Sequence, residues 1–254
     1  MIEITAVDGH KFSAYRADPE GSPRGAVIVV QEIFGINAHI KKMADGFATR
    51  GYVALAPALF DRVKKDVSLG YDEAAIAQGV DLMKQVAIDT ALADIQATVD
   101  VAKDAGKVAI TGYCWGGYLA YLAANQVNGI ACTIGYYGAG IADEWRGKRK
   151  VPTLLHFGTQ DDLIPFEQVT QFRANRPDVT VFGYPAGHGF NCDERNSYDP
   201  QSATLAHERT LFWISQFVEG QPPIVLKNAG AYAQAKVDKK KKKPAGDDLG
   251  PPEA

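Results

Sequence analysis

Apolar positions along the chain gather into short runs, each separated from the next by a polar or helix-length stretch. That pattern predicts strands alternating with helices. Ala26 to Val30 is apolar at five consecutive positions, as in a strand buried on both faces of a parallel sheet. Tyr52 to Ala56, Lys107 to Thr111, Ile130 to Tyr137, Val151 to Phe157 and Val179 to Tyr184 read as further strands. Ahead of them, Ile2 to Val7 and Lys11 to Arg16 flank Asp8-Gly9, a turn signal for a hairpin. The clearest helix is Asp89 to Lys103. Its residues Ala91, Leu92, Ile95, Val99 and Ala102 share one face, with Asp89 as the expected N-cap. A helix around Ala203 to Val218 closes the series. The expected fold is α/β, a mostly parallel sheet with helices on both faces.

Beyond Gly220 the pattern dissolves. Lys239 to Lys243 are five consecutive lysines, followed by prolines, glycines and acids that bury too little apolar surface to order a chain. The division expected is one domain over 1–225 and a lysine-rich tail over 226–254. The basic run can also be read as a nucleic-acid contact, but the acids after it fit a solvated tail.

Composition narrows the classes. With 254 residues and 46% hydrophobic content the chain can bury one sizeable core, and its net charge of −3 gives no general attraction to nucleic acid or anionic membranes. Cys114, Cys132 and Cys192 make an odd count without zinc or disulfide spacing, which fits a reducing compartment. The first residues lack a signal-peptide pattern, and no apolar run has the length of a membrane helix. The expectation is a cytoplasmic protein, monomeric or weakly oligomeric, with a small molecule rather than nucleic acid or membrane as its partner.

The chemistry centres on Gly112-Tyr113-Cys114-Trp115-Gly116, between a predicted strand and an Ala/Leu-rich helix. Glycines two residues before and after a nucleophile at a strand-to-helix turn form the nucleophile elbow of α/β-hydrolases, here with cysteine in the serine position. At a helix N-terminus the macrodipole favours the thiolate, and the Trp115 N–H would face an oxyanion. Taken alone the motif fits a buried structural cysteine as well.

Its context decides. In such a sheet the acid and histidine follow the nucleophile, in loops at the carboxyl ends of later strands. Gly158-Thr159-Gln160-Asp161 and Gly187-His188-Gly189-Phe190 arrive there in that order. Asp161 is the expected partner of His188, with Asp162 a turn former. A metal pairing of His188 with Cys192 lacks further ligands at a matching spacing. His156 reads as a core residue within its strand and His207 as lying on the polar face of the last helix. His10 and His39 have no partner motif. Gln31-Glu32-Ile33-Phe34-Gly35 ends the first central strand, where the second oxyanion N–H is expected, assigned to Ile33. Glu32 is expected at the mouth of the site beside Cys114, where position alone fits a surface glutamate or one doing proton chemistry. Tyr136, Tyr137 and Trp145 are candidate pocket neighbours.

Together with Gly135-Tyr136-Tyr137-Gly138, these motifs resemble the dienelactone hydrolase (carboxymethylenebutenolidase) family over about residues 1–220. The resemblance implies an eight-stranded α/β-hydrolase fold and a lactone-opening Cys-Asp-His triad, on Cys114, Asp161 and His188. It further implies a glutamate that helps generate the thiolate, on Glu32, and oxyanion donors on the Ile33 and Trp115 N–H groups. No metal or organic cofactor is implied. The family's enzymes that act on dienelactone hold its carboxylate with arginines. One lies four residues after the histidine, where this chain has Cys192; another precedes the elbow, where Leu69 to Ala87 contains no arginine, and Arg195 is the nearest substitute in sequence. The expected activity is hydrolysis of a small lactone or ester through a thioester acyl-enzyme. The alternatives are a general carboxylesterase or thioesterase, and a non-catalytic redox sensor using Cys114.

Overall fold

Runs of β-branched and small apolar residues build the centre of one sheet, because such side chains pack on pleated surfaces buried on both sides. The computed structural model describes residues 1–220, so the reading of 226–254 as a tail lies outside the described residues. Strands β1 (Ile2–Thr5) and β2 (Lys11–Ala17) form the expected hairpin. They are followed by β3 (Ala26–Val30), β4 (Val53–Pro57), β5 (Val108–Tyr113), β6 (Ile130–Tyr136), β7 (Thr153–Gly158) and β8 (Thr180–Tyr184). The eight strands lie in the order β1-β2-β4-β3-β5-β6-β7-β8. From β4 to β8 every pairing is parallel, while β2 runs antiparallel to β4.

Helices α1 (Ala38–Ala48), α2 (Glu73–Gln85), α3 (Ile88–Ala102), α4 (Trp115–Gln126), α5 (Phe166–Asn175) and α6 (Pro200–Ile214) complete the α/β alternation. Two starts differ from the sequence expectation. Helix α3 begins at Ile88 with Ala87 as its N-cap, so Asp89 falls in the first turn, where its charge meets the positive end of the dipole. Helix α6 begins before Ala203: the Asp199 carboxylate caps it by accepting from the Ser202 N–H at 2.7 Å, with Pro200 in the first turn. Among the described residues no helix is long and apolar enough to cross a membrane.

Register places the site. Val30 pairs with Gly112, Gly112 with Gly135, and Gly158 with Tyr184. The loops after β3, β5, β7 and β8 therefore leave one edge of the sheet together, the edge where open α/β sheets carry their sites. The approach of α4 to this edge admits no side chain at two points. A Cβ on Gly112 would stand 1.9 Å from the Gly116 carbonyl oxygen, and a Cβ on Gly116 would stand 2.4 Å from both the Val30 and Gln31 carbonyl oxygens.

Gly112→Ala is expected to destabilise the protein by about 3 kcal/mol, since backbone rather than a flexible side chain must give way. Gly46→Ala, inside α1 with nothing within 4 Å of its Cβ position, is expected to stabilise by roughly 0.5–1 kcal/mol. Urea unfolding of the two variants beside wild type measures both.

Candidate active site

Cys114 is the N-cap of α4 and links it directly to β5, with φ +51° and ψ −116°. A side chain at positive φ costs of order 1–3 kcal/mol and persists only where the surroundings over-determine it. Here the Cys114 N–H donates to the Tyr136 carbonyl at 3.0 Å and the Cys114 carbonyl accepts from Tyr118 at 3.1 Å. The elbow is thus tied to β6 on one side and to its own helix on the other, and its thiol is partly exposed.

Asp161 comes from the loop after β7 and His188 from the loop after β8. Backbone bonds join the loops: the Thr159 N–H donates to Tyr184 at 2.7 Å and the Gln160 N–H to Ala186 at 3.1 Å. One carboxylate oxygen of Asp161 accepts from the Leu163 and Ile164 N–H groups, at 2.8 and 3.1 Å. The other lies 2.9 Å from His188 Nδ1, and His188 Nε2 lies 3.2 Å from Cys114 Sγ. Three predicted site residues therefore stand in one hydrogen-bonded line. Burial disfavours charge on His188, yet its hydrogen bonds to Asp161 and Cys114 outweigh burial and pull its pKa up to about 10. Tyr137, also at positive φ, sets its ring edge-on to the imidazole, with centroids 5.2 Å apart.

The loop after β3 is pinned from several directions. The Leu69 N–H donates to Phe34 at 2.9 Å, the Ile36 N–H to Val67 at 3.1 Å, and the Leu59 N–H to the Gln31 side-chain oxygen at 3.2 Å. The Trp115 N–H, first in α4, has no acceptor within its own helix. Its indole stacks on Phe60, with centroids 5.5 Å apart.

Glu32 departs from its expected place. Instead of standing at the mouth of the site, its carboxylate is fully buried. Oε2 accepts a long 3.5 Å contact from the Tyr71 hydroxyl, and Oε1 lies 3.7 Å from the Arg195 guanidinium. No hydrogen bond joins it to Cys114 among the described residues. Glu32 directly follows the Val30 and Gln31 carbonyls against which Gly116 packs.

Sequence reasoning missed much of the surroundings of Glu32. Cys192 and His39 are fully buried close to it. Burial first, and then the nearby Glu32 charge, push the Cys192 thiol up to about 11. His39 lies in α1, far from the other site residues in sequence, and no motif marks it. Arg195 does reach the site, spanning the Phe34 and Tyr71 rings at 5.8 Å from each centroid. Of the candidate pocket neighbours only Tyr137 meets the imidazole; the Tyr136 hydroxyl bonds Thr210 in the core, and Trp145 is exposed. His156 is the core residue expected, bonded to Tyr184 and Thr210 and pushed by burial down to about 3. His207 is half-buried against Phe47 rather than on a polar face.

Comparison with known proteins places this arrangement. A sequence model of the dienelactone hydrolase family matches residues 12–218. The carboxymethylenebutenolidase of Pseudomonas putida is 31% identical over 232 residues, covering 87% of this chain and 98% of that protein. The carboxymethylenebutenolidase of Pseudomonas sp. strain P51 is 32% identical over 222 residues, covering 83% and 92%. A crystal structure from Klebsiella pneumoniae, provisionally named a dienelactone hydrolase, superposes with a TM-score of 0.73 at 29% identity, covering 84% of this chain and 98% of its own.

The raised pKa of His188 carries a stability signature. Between the ordinary value of 6.5 and about 10 the folded protein holds a proton the unfolded chain releases, so stability falls as pH rises through that window. The contribution is complete below 6.5 and lost above about 10. His188→Gln is expected to remove this component, on the order of a few kcal/mol. Urea unfolding of both proteins at a series of pH values from 6 to 10.5 checks it.

Proposed function

The chain belongs to the dienelactone hydrolase family, and from that premise we propose that it is a carboxylic ester hydrolase opening a small lactone or ester through Cys114. The observation that carries the reading is the unbroken line from Asp161 through His188 to Cys114 Sγ. A nucleophile hydrogen-bonded to a base that a third group orients is the working arrangement of acyl-transfer catalysis.

The substrate carbonyl oxygen points toward the Ile33 and Trp115 N–H groups, which stabilise the charge that develops on it. With His188 holding its proton on Nε2 at neutral pH, the sulfur attacks as the thiolate paired with that imidazolium. The tetrahedral intermediate collapses to a thioester. The leaving alkoxide takes the proton from His188, and in a lactone it stays attached to the acyl group. His188, held by Asp161, then activates the water that releases the product. Glu32 has the role of helping to generate the thiolate, and it acts only once substrate binding loosens its contacts with Tyr71 and Arg195. No metal or organic cofactor takes part in this sequence. The odd cysteine count, without disulfide or zinc spacing, supports a reducing, cytoplasmic setting.

One observation favours a second reading of the substrate. Cys192 replaces a carboxylate-holding arginine, and Arg195 already faces Glu32. A guanidinium so engaged holds an incoming carboxylate less well than a free one. Neutral small esters or thioesters then fit the site as well as an anionic lactone.

Hydrolysis of cis- and trans-dienelactone is to be compared with that of short p-nitrophenyl esters, wild type beside Cys114→Ala and Cys114→Ser. Cys114→Ala is expected to lower kcat/KM by more than about a thousandfold while still folding and unfolding in a single cooperative transition. Cys114→Ser is expected to keep weak activity. Mass analysis of quenched wild-type enzyme is expected to find the acyl group on Cys114; undiminished turnover by Cys114→Ala would rule the reading out.

A further inference from the structure

Glu32 has a second set of neighbours that the proposed reaction leaves without a task. Glu32, His39 and Cys192 are all buried, and one ligand atom from each lies within 4.8 Å of the others. Their polar atoms are short of partners. Glu32 Oε1 and both ring nitrogens of His39 have no hydrogen bond. A buried unpaired polar atom costs about 1–3 kcal/mol, and Glu32 Oε1 together with one imidazole nitrogen of His39 calls for a ligand that the protein itself does not supply.

We propose that Glu32, His39 and Cys192 form a binding site for a borderline-soft divalent metal ion, represented by Zn2+. Carboxylate oxygen, imidazole nitrogen and thiolate sulfur are the three donor types that zinc takes. With bonds of roughly 2.0–2.3 Å, tetrahedral zinc holds its donor atoms about 3.3–3.7 Å apart. A spread of at most 4.8 Å closes to that size with small side-chain movements. Harder ions such as Mg2+ and Ca2+ prefer all-oxygen sets and are disfavoured here.

The surroundings suit an ion as well. Asp193 Oδ1 lies 3.7 Å from His39 Nδ1. A carboxylate beside one ring nitrogen favours a proton there and a lone pair on the other, the arrangement that orients metal-binding histidines. Lys42 pairs with the same Asp193 and holds it in place. The Arg195 side chain, part-exposed beside Glu32 Oε1, marks the way in: as the guanidinium withdraws, the ion replaces it as the countercharge. Coordination expels the Cys192 thiol proton to solvent.

Three ligands leave one position open. Because Glu32 is shared with the proposed reaction centre, loading the site withdraws it from thiolate generation and makes the ion a reversible inhibitor. That consequence rests on the function proposed above, whereas the site itself does not.

The test titrates chelator-stripped, full-length protein with Co2+, with Zn2+ as competitor. The expected result is one tight Co2+ per chain with a near-ultraviolet thiolate-to-cobalt band that Zn2+ discharges. Cys192→Ala is expected to lose the band, and both it and His39→Gln to bind at least about tenfold more weakly. Cys114→Ala is expected to keep the band. Absence of the band in wild type, its survival in Cys192→Ala, or its loss in Cys114→Ala would overturn the site. The two ligand variants fail independently, so one that does not fold leaves the other to decide. Ester hydrolysis by wild type is then expected to fall at least tenfold with Zn2+ and return with chelator, while Cys192→Ala requires at least tenfold more Zn2+. A fully zinc-loaded enzyme with unchanged turnover overturns the inhibition alone. If metal-free protein hydrolyses nothing, the proposed reaction fails and the cobalt titration still decides the site.

Discussion

Backbone against backbone is the contact on which the rest of the site depends. Gly116 on the first turn of α4 meets the Val30 and Gln31 carbonyls, and Gly112 at the end of β5 meets Gly116 in turn. Without side chains between them, α4 starts one residue after β5, and the single linking residue absorbs the whole change of direction. That residue is Cys114, and its positive φ is the local cost. Two consequences follow from one approach. The thiol projects from a helix N-terminus, and the Trp115 N–H is left without a helical acceptor. A methyl group at either glycine would disturb both together.

The line from Asp161 to Cys114 sets burial against hydrogen bonding, and hydrogen bonding prevails. A buried imidazole alone is held neutral, as His156 shows at about 3 between two hydroxyls. His188 is also largely buried, yet a carboxylate on one nitrogen and a sulfur on the other move it in the opposite direction, to about 10. The same fold thus carries two buried histidines at opposite ends of the scale, separated by their partners rather than by depth. The contrast bears on the proposed cycle. Once sulfur is acylated it no longer supports the imidazolium, so the pKa of His188 falls and a neutral imidazole becomes available to activate water. In that proposed cycle, acylation itself prepares the base for the next step.

Much of this was legible in the sequence because it is local or periodic. Apolar runs located the central strands, and the glycine spacing around Cys114 located the elbow. Topology then required an acid and a histidine after later strands, where Asp161 and His188 stand. What escaped depends on side chains meeting from distant segments. His39 lies on α1 and its burial beside Glu32 and Cys192 leaves no trace in local pattern. The burial of Glu32 depends on Tyr71 and Arg195 from distant segments, which no residue type announces. Asp89 reads as a cap because Asp favours both the cap and the first turn of a helix, and only the backbone at Ala87 distinguishes them.

Glu32 draws its countercharge from Arg195. Four residues after His188 a thiol, Cys192, is buried beside Glu32, and the guanidinium reaches in from Arg195. A carboxylate with no exposed surface needs a countercharge or strong donors, and the contacts at 3.5 and 3.7 Å from Tyr71 and Arg195 are too long to supply full compensation. Glu32 is therefore left short of compensation inside the fold. A metal ion would satisfy Glu32, His39 and Cys192 at once, because each offers one ligand atom to the same place. The burial of Glu32 and the length of its contacts are what leave it open to capture.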